Sequence, residues 1–168
     1  MPIRDYDPTQ GCAFQGDLSI VPIPASIKIS TVDEIKPVAG RLILQEGELS
    51  GHHHAIALLD RTASSCCAGG PTTDKRRSRA AEKLMADALA GRIAVPTARL
   101  YQDPAAVEAL RRAGILTRTD LAIGCLIVEA GPMVISHEEH DGIRLAVGNY
   151  YIGRQVESAA YEERKVLD

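Results

Sequence analysis

The sequence predicts a mainly β domain, a small barrel or sandwich that carries an α-helical insertion. Three observations predict it. Short apolar or alternating segments recur between turn dipeptides such as Gly131-Pro132, Asp141-Gly142 and Gly148-Asn149, the rhythm of an antiparallel β fold. In the middle of the chain the composition changes and apolar residues return at helical spacing. The chain has 168 residues, 45% of them apolar, which is one domain's length with enough apolar surface for one core.

Residues 1–15, with Pro2, Pro8 and Gly11 and little periodicity, read as an N-terminal arm. Residues 16–23 alternate, with Leu18, Ile20 and Pro22 on one face and Asp17, Ser19 and Val21 on the other, which predicts a strand. Pro22 and Pro24 end it or confine it to an edge, because proline cannot donate to a ladder. A second strand is expected over 40–45, a glycine-bracketed turn over 46–51 and a third strand over 52–59. Residues 60–73 carry almost no bulky apolar side chain and read as a surface loop. Asp74 then caps a helix whose Ala81, Leu84, Met85, Ala88 and Leu89 form one stripe, with Gly91 as its stop.

Residues 92–95 and 97–101 read as short strand pieces around Pro96. Asp103-Pro104 supplies a cap and a first-turn proline for a second helix, which turns Val107 and Leu110 inward and closes at Gly114. Residues 60–120 therefore read as a loop and helical insertion between β elements. The β pattern resumes over 121–129, turns at 130–132 and continues over 133–136, most simply as a hairpin. Further strands are expected over 143–147 and 150–156, and the charged residues 157–168 read as a C-terminal arm of the single domain 1–168.

Charge and composition exclude several function classes. With 19 Lys and Arg against 22 Asp and Glu, the formal charge of −3 argues against general nucleic-acid binding, and 4% aromatic residues leave no stacking platform for single strands. The longest uncharged apolar runs fall far short of the roughly 20 residues that a membrane helix needs. The acidic, proline-bearing start lacks the basic and apolar stretches of a signal peptide, so a cytoplasmic protein is expected. Cys12, Cys66, Cys67 and Cys125 lack paired zinc-knuckle spacing and read as reduced thiols, with Cys125 a small core residue.

All five histidines fall in two clusters, His52-His53-His54 and His137-Glu138-Glu139-His140. On a strand, residues i and i+2 share a face, so His52 and His54 can converge on one ion while His53 points away. His137 and His140 flank a tight segment where either ring can complete the set. Neutral imidazole suits Zn, Cu, Fe and Ni, and Glu138 or Glu139 could add a carboxylate. The expected cofactor is therefore a divalent transition metal held by His52, His54, His137 and His140. Glu138 or Glu139 would take a proton from a metal-bound water, which makes them the candidate catalytic residues. Asp60 is a weaker ligand candidate. The bland reading is that both clusters are exposed polar turns.

The segment Gly47-Glu48-Leu49-Ser50-Gly51-His52-His53-His54 resembles the first cupin motif, in which a glycine precedes a His-x-His on a barrel strand. It departs from that motif after His54, where Leu58, Leu59 and Asp60 stand in place of the expected glutamate, and the second cupin motif is missing. Paired with His137-Glu138-Glu139-His140-Asp141-Gly142 and Gly148-Asn149-Tyr150-Tyr151, it is more closely similar to small uncharacterised β proteins of phage and mobile elements. Those share a Gly-His-x-His segment and a later His-Glu-Glu-His segment. The resemblance covers about half the chain and implies a cupin-like barrel or sandwich with a histidine-rich mononuclear site, without implying a reaction.

Two functions from different classes follow. One is a metal-binding cupin-like domain, enzymatic or sensory, with its activity unassigned. The other is a decoration or cement subunit of a phage-like particle, which would place the protein in a virion and its extended arms against neighbouring copies. Either suits a homo-oligomer or larger assembly. Lys75, Arg76, Arg77, Arg79 and Lys83 crowd the start of the first helix, where positive charge opposes the helix dipole, so an acidic partner at Arg76 and Arg77 is a further candidate.

Overall fold

The computed structural model describes residues 2–46, 52–58, 97–159 and 162–165, with side chains described as far as residue 155. Two sheets face one another. One has the order β1 (Ile3–Asp5), β10 (Gly142–Leu145), β9 (Met133–Ser136), β6 (His53–Ala57) and β5 (Arg41–Glu46). The other has the order β2 (Ala13–Gln15), β3 (Leu18–Pro22), β11 (Gly148–Arg154), β8 (Ala122–Ala130), β7 (Thr97–Tyr101) and β4 (Glu34–Ile35). Among the described residues neither sheet closes into a barrel, so the mainly β expectation holds as a sandwich-like arrangement.

Period-two alternation explains the core between the sheets. Leu42 and Leu44 of β5, Ile56 of β6, Ile135 of β9 and Ile143 and Leu145 of β10 meet Leu18 and Ile20 of β3, Leu100 of β7, Leu126 and Val128 of β8 and Ile152 of β11. The outer face of the six-stranded sheet is covered as well. There α1 (Pro104–Arg112) lays Ala106, Val107 and Leu110 against Cys125, Tyr151 and Ile23. Helix α1 forms where the sequence places it. Asp103 Oδ1 accepts from the amides of Ala105 and Ala106 at 3.1 and 3.0 Å, its Oδ2 accepts from Ser30 N at 2.6 Å, and Pro104 fills the first turn. Gly114 follows the helix at φ +71°, the left-handed conformation that ends it.

The chain path differs from the sequence expectation in several places. β8 and β9 do not form a hairpin: β8 pairs with β7 and β11, whereas β9 pairs with β6 and β10. The corner at Gly131 and Pro132 carries the chain from one sheet to the other, which lets both strands bury an inner face in the same core. β7 lies within the range read as an insertion, yet it is an inner strand between β8 and β4. Residues 3–5 and 13–15, within the expected N-terminal arm, pair with β10 and β3. At the C-terminal end β12 (Val156–Ala159) and β13 (Glu162–Lys165) pair with each other.

The helix expected over 74–91, its basic residues Arg76 and Arg77, the turn over 47–51, Asp60, Cys66 and Cys67 lie outside the described residues. No helix among the described residues is long and apolar enough to cross a membrane.

Cys125 and Tyr151 sit under α1, and burial pushes each of their pKa values up to about 12. Iodoacetamide at mildly alkaline pH is therefore expected to modify exposed Cys12 and to spare Cys125 until the chain is unfolded, as read by peptide mass spectrometry. The same shifts set the sign of the alkaline response. Between the ordinary values of 9.0 and 10.0 and about 12, the folded chain retains protons that the unfolded chain has released, so stability falls as pH rises through that window.

Candidate functional site

The two histidine clusters meet at one end of the sandwich. β6 presents His54 and Ile56 to the interior, and the antiparallel pairing of β9 and β10 brings the connecting residues 137–141 alongside. The His54 ring lies 4.2 Å from that of His137 and 6.3 Å from that of His140, with interplanar angles of 24° and 11°. His137 and His140 stack at 4.7 Å, and His52 meets His137 edge-on at 5.8 Å and 84°. These ring contacts bring together His52, His54, His137 and His140, the four histidines of the expected set.

His54 is fully buried, and both of its ring nitrogens face acceptors. Nε2 lies 2.8 Å from Asp17 Oδ1, and Nδ1 lies 3.0 Å from Gln15 Oε1. The orientation of the Gln15 amide follows from its own bonds, since its Nε2 donates to the carbonyls of Ile135 at 3.2 Å and Asp141 at 2.7 Å. Its oxygen must therefore be the atom that faces His54, and it can only accept. His54 Nδ1 therefore donates to Gln15, and the Asp17 carboxylate stands beside Nε2. Gln45, the cross-strand neighbour of His54, donates through Nε2 to the other Asp17 oxygen.

Sequence reading missed Gln15, Asp17 and Gln45. Asp17 was expected on the face of its strand opposite the core, but it precedes β3 and is only 2% exposed. The one local signal was an acid and an amide flanking Gly16 ahead of an apolar strand. Nothing local says that β6 lies across from them.

The remaining acids and rings are closer to solvent. The Nδ1 of His137 accepts from Glu139 N at 3.1 Å, so this nitrogen carries the lone pair and Nε2 the proton. His52 Nδ1 lies 3.5 Å from Glu139 Oε1. Glu138 accepts from His53 N at 3.0 Å and lies 4.0 Å from Arg41, which ties the connection to the edge of β6. The His53 amide holds the Glu138 carboxyl below its ordinary value, which weakens it as a proton acceptor.

For a metal ion the donors fit unevenly. A ligand must present a lone pair at about 2.0–2.2 Å. His137 Nδ1 offers one, which accepts from the Glu139 amide. Among the described residues no three such donors already stand around one point. Comparison of the chain with protein-family models, with curated proteins and with solved structures finds no match, so the geometry alone carries the functional reading.

Proposed function

We propose that this chain is a cupin-like β domain that binds one divalent transition metal ion, Zn, Fe, Ni or Mn, at the histidine-rich end of its sandwich. One observation carries the reading. Four imidazole rings from two separate chain segments gather with ring centroids 4.2 to 6.3 Å apart, beside the exposed carboxylate of Glu139. Histidine is the commonest metal ligand among side chains. The cupin likeness consists of the His-x-His strand lining the inside of a two-sheet β fold.

In the competing reading, as a structural subunit of a phage-like particle, the same end is only a polar plug that ties β6 to the β9–β10 connection. Elemental analysis of the untagged chain separates the two. The metal-binding reading expects about one ion per chain, lost in the His52→Ala/His137→Ala variant. A chain that stays metal-free after incubation with Zn, Fe, Ni and Mn in turn would overturn it.

A further inference from the structure

Helix α1 covers only part of the outer face of the six-stranded sheet. Strand pairing sets Phe14 of β2 opposite Ser19 of β3, and Val21 of β3 opposite Tyr151 of β11, so Phe14, Val21 and Tyr151 share that outer face. Together with Ile115 and Leu116 of the segment after α1, they line an open cleft of about 660 Å³. That lies within the roughly 300–1,000 Å³ of small-molecule sites, and mostly apolar walls with a few polar groups are the usual make-up of such sites. None of the five histidines lines the cleft.

Two polar groups meet there. Tyr151 is only 3% exposed, yet among the described residues its hydroxyl has no hydrogen-bond partner, although a buried phenol usually finds one. Its ring leans along β11 over Gly153, where a Cβ would come within 2.6 Å of ring carbon Cε1. The lean carries the hydroxyl toward the next residue, Arg154. Arg154 also lines the cleft, is exposed, and forms no ion pair among the described residues. Arg118, the other cation of the lining, is engaged by Asp120, with Nε 3.0 Å from Oδ1 and Nη2 2.6 Å from Oδ2. No Asp or Glu lines the cleft among the described residues.

We infer that this cleft binds a small organic acid, its carboxylate taken by the Arg154 guanidinium and the Tyr151 hydroxyl and its aromatic body laid on Phe14, Val21 and Leu116. One uncommitted cation and one neutral donor match a single negative charge and the two oxygens of a carboxylate. The apolar floor supplies the rest of the affinity by burial, with two aromatic rings to meet an aromatic ligand. The inference stands independently of the metal-binding reading.

The test titrates nitrogen-labelled protein with 2-naphthylacetate and, in parallel, with the neutral 2-naphthylacetamide, and follows the backbone amides by NMR. The expected result is saturable shifts at Phe14, Val21, Leu116, Tyr151 and Arg154, with the acid bound about 10-fold more tightly than the amide. Arg154→Met should abolish that preference, and Tyr151→Phe, which keeps the ring in place under α1, should weaken the acid by about 10-fold, as loss of a hydrogen bond to a charged group does. The inference is overturned if no saturable shift appears, if the shifts map to another surface, if acid and amide bind alike, or if either substitution leaves the affinity for the acid unchanged. Both substitutions lie outside the core between the sheets, and the unchanged amide spectrum of each variant shows that it is folded.

Discussion

Replacing Asp17 with Ala is expected to cost about 3–5 kcal/mol of folding stability, the range found when one partner of a buried ion pair is removed. The reason lies in what the substitution leaves behind. His54 is fully buried with Asp17 Oδ1 2.8 Å from Nε2 and the Gln15 oxygen 3.0 Å from Nδ1. Without the carboxylate, the buried His54 ring loses the group that stands beside its Nε2. The Gln45 amide that donates to the other Asp17 oxygen also loses its acceptor. Burial decides the magnitude. The Arg111–Glu108 pair on α1 pulls the Glu108 carboxyl down to about 2, yet it is exposed to solvent and screened, and contributes far less.

Urea denaturation checks this, together with the His54→Ala variant and the Asp17→Ala/His54→Ala double variant. The double variant should lose less than the sum of the single losses, because each single change already breaks the shared contact. A loss under about 1 kcal/mol for Asp17→Ala would falsify the ion pair as a stabilising contact.

Leu126→Ala should destabilise the chain by about 2–5 kcal/mol through loss of apolar burial and the cavity left behind. Leu126 has no exposed surface and pairs across the sheet with Leu100 of β7 and Tyr150 of β11, so strands on both sides hold the backbone where it is. That limits how far the site can collapse to refill the volume. For a chain of this size each kcal/mol lowers the melting temperature by about 2–4 °C, so the shift is large enough to read by circular dichroism. Val32→Ala is the control. Val32 is 81% exposed, and its truncation should stay within about 0.5 kcal/mol of wild type. Equal losses for the two variants would mean that the two sheets do not share the core described for Leu126.

Locally encoded elements were the most legible. Asp103, Pro104 and Gly114 mark the ends of α1, and its inward residues Val107 and Leu110 are the ones buried. The alternation around Leu18 and Ile20 gives β3, and Pro22 is its last residue, paired with Tyr150 but beyond the reach of β2. The site was legible by residue type. All four histidines expected to converge do gather, from β6 and the β9–β10 connection. Their partners were not legible, because Gln15 and Gln45 belong to different sheets and reach the site only once those sheets pack.

By itself, then, the sequence determined a strand-rich chain, the caps of α1, the inward face of β3 and the residue types of a histidine-rich end. These depend on side-chain periodicity and on hydrogen bonds spanning a few residues. Only the tertiary structure decided that β8 and β9 part into separate sheets, that β7 is an inner strand, and that Asp17 is buried against His54. Strand partners are chosen by which faces can be buried together, and that choice joins segments far apart in the chain. The hydrogen bonding of the histidines has the same origin, since an imidazole nitrogen donates or accepts according to the groups that the packed sheets bring to it.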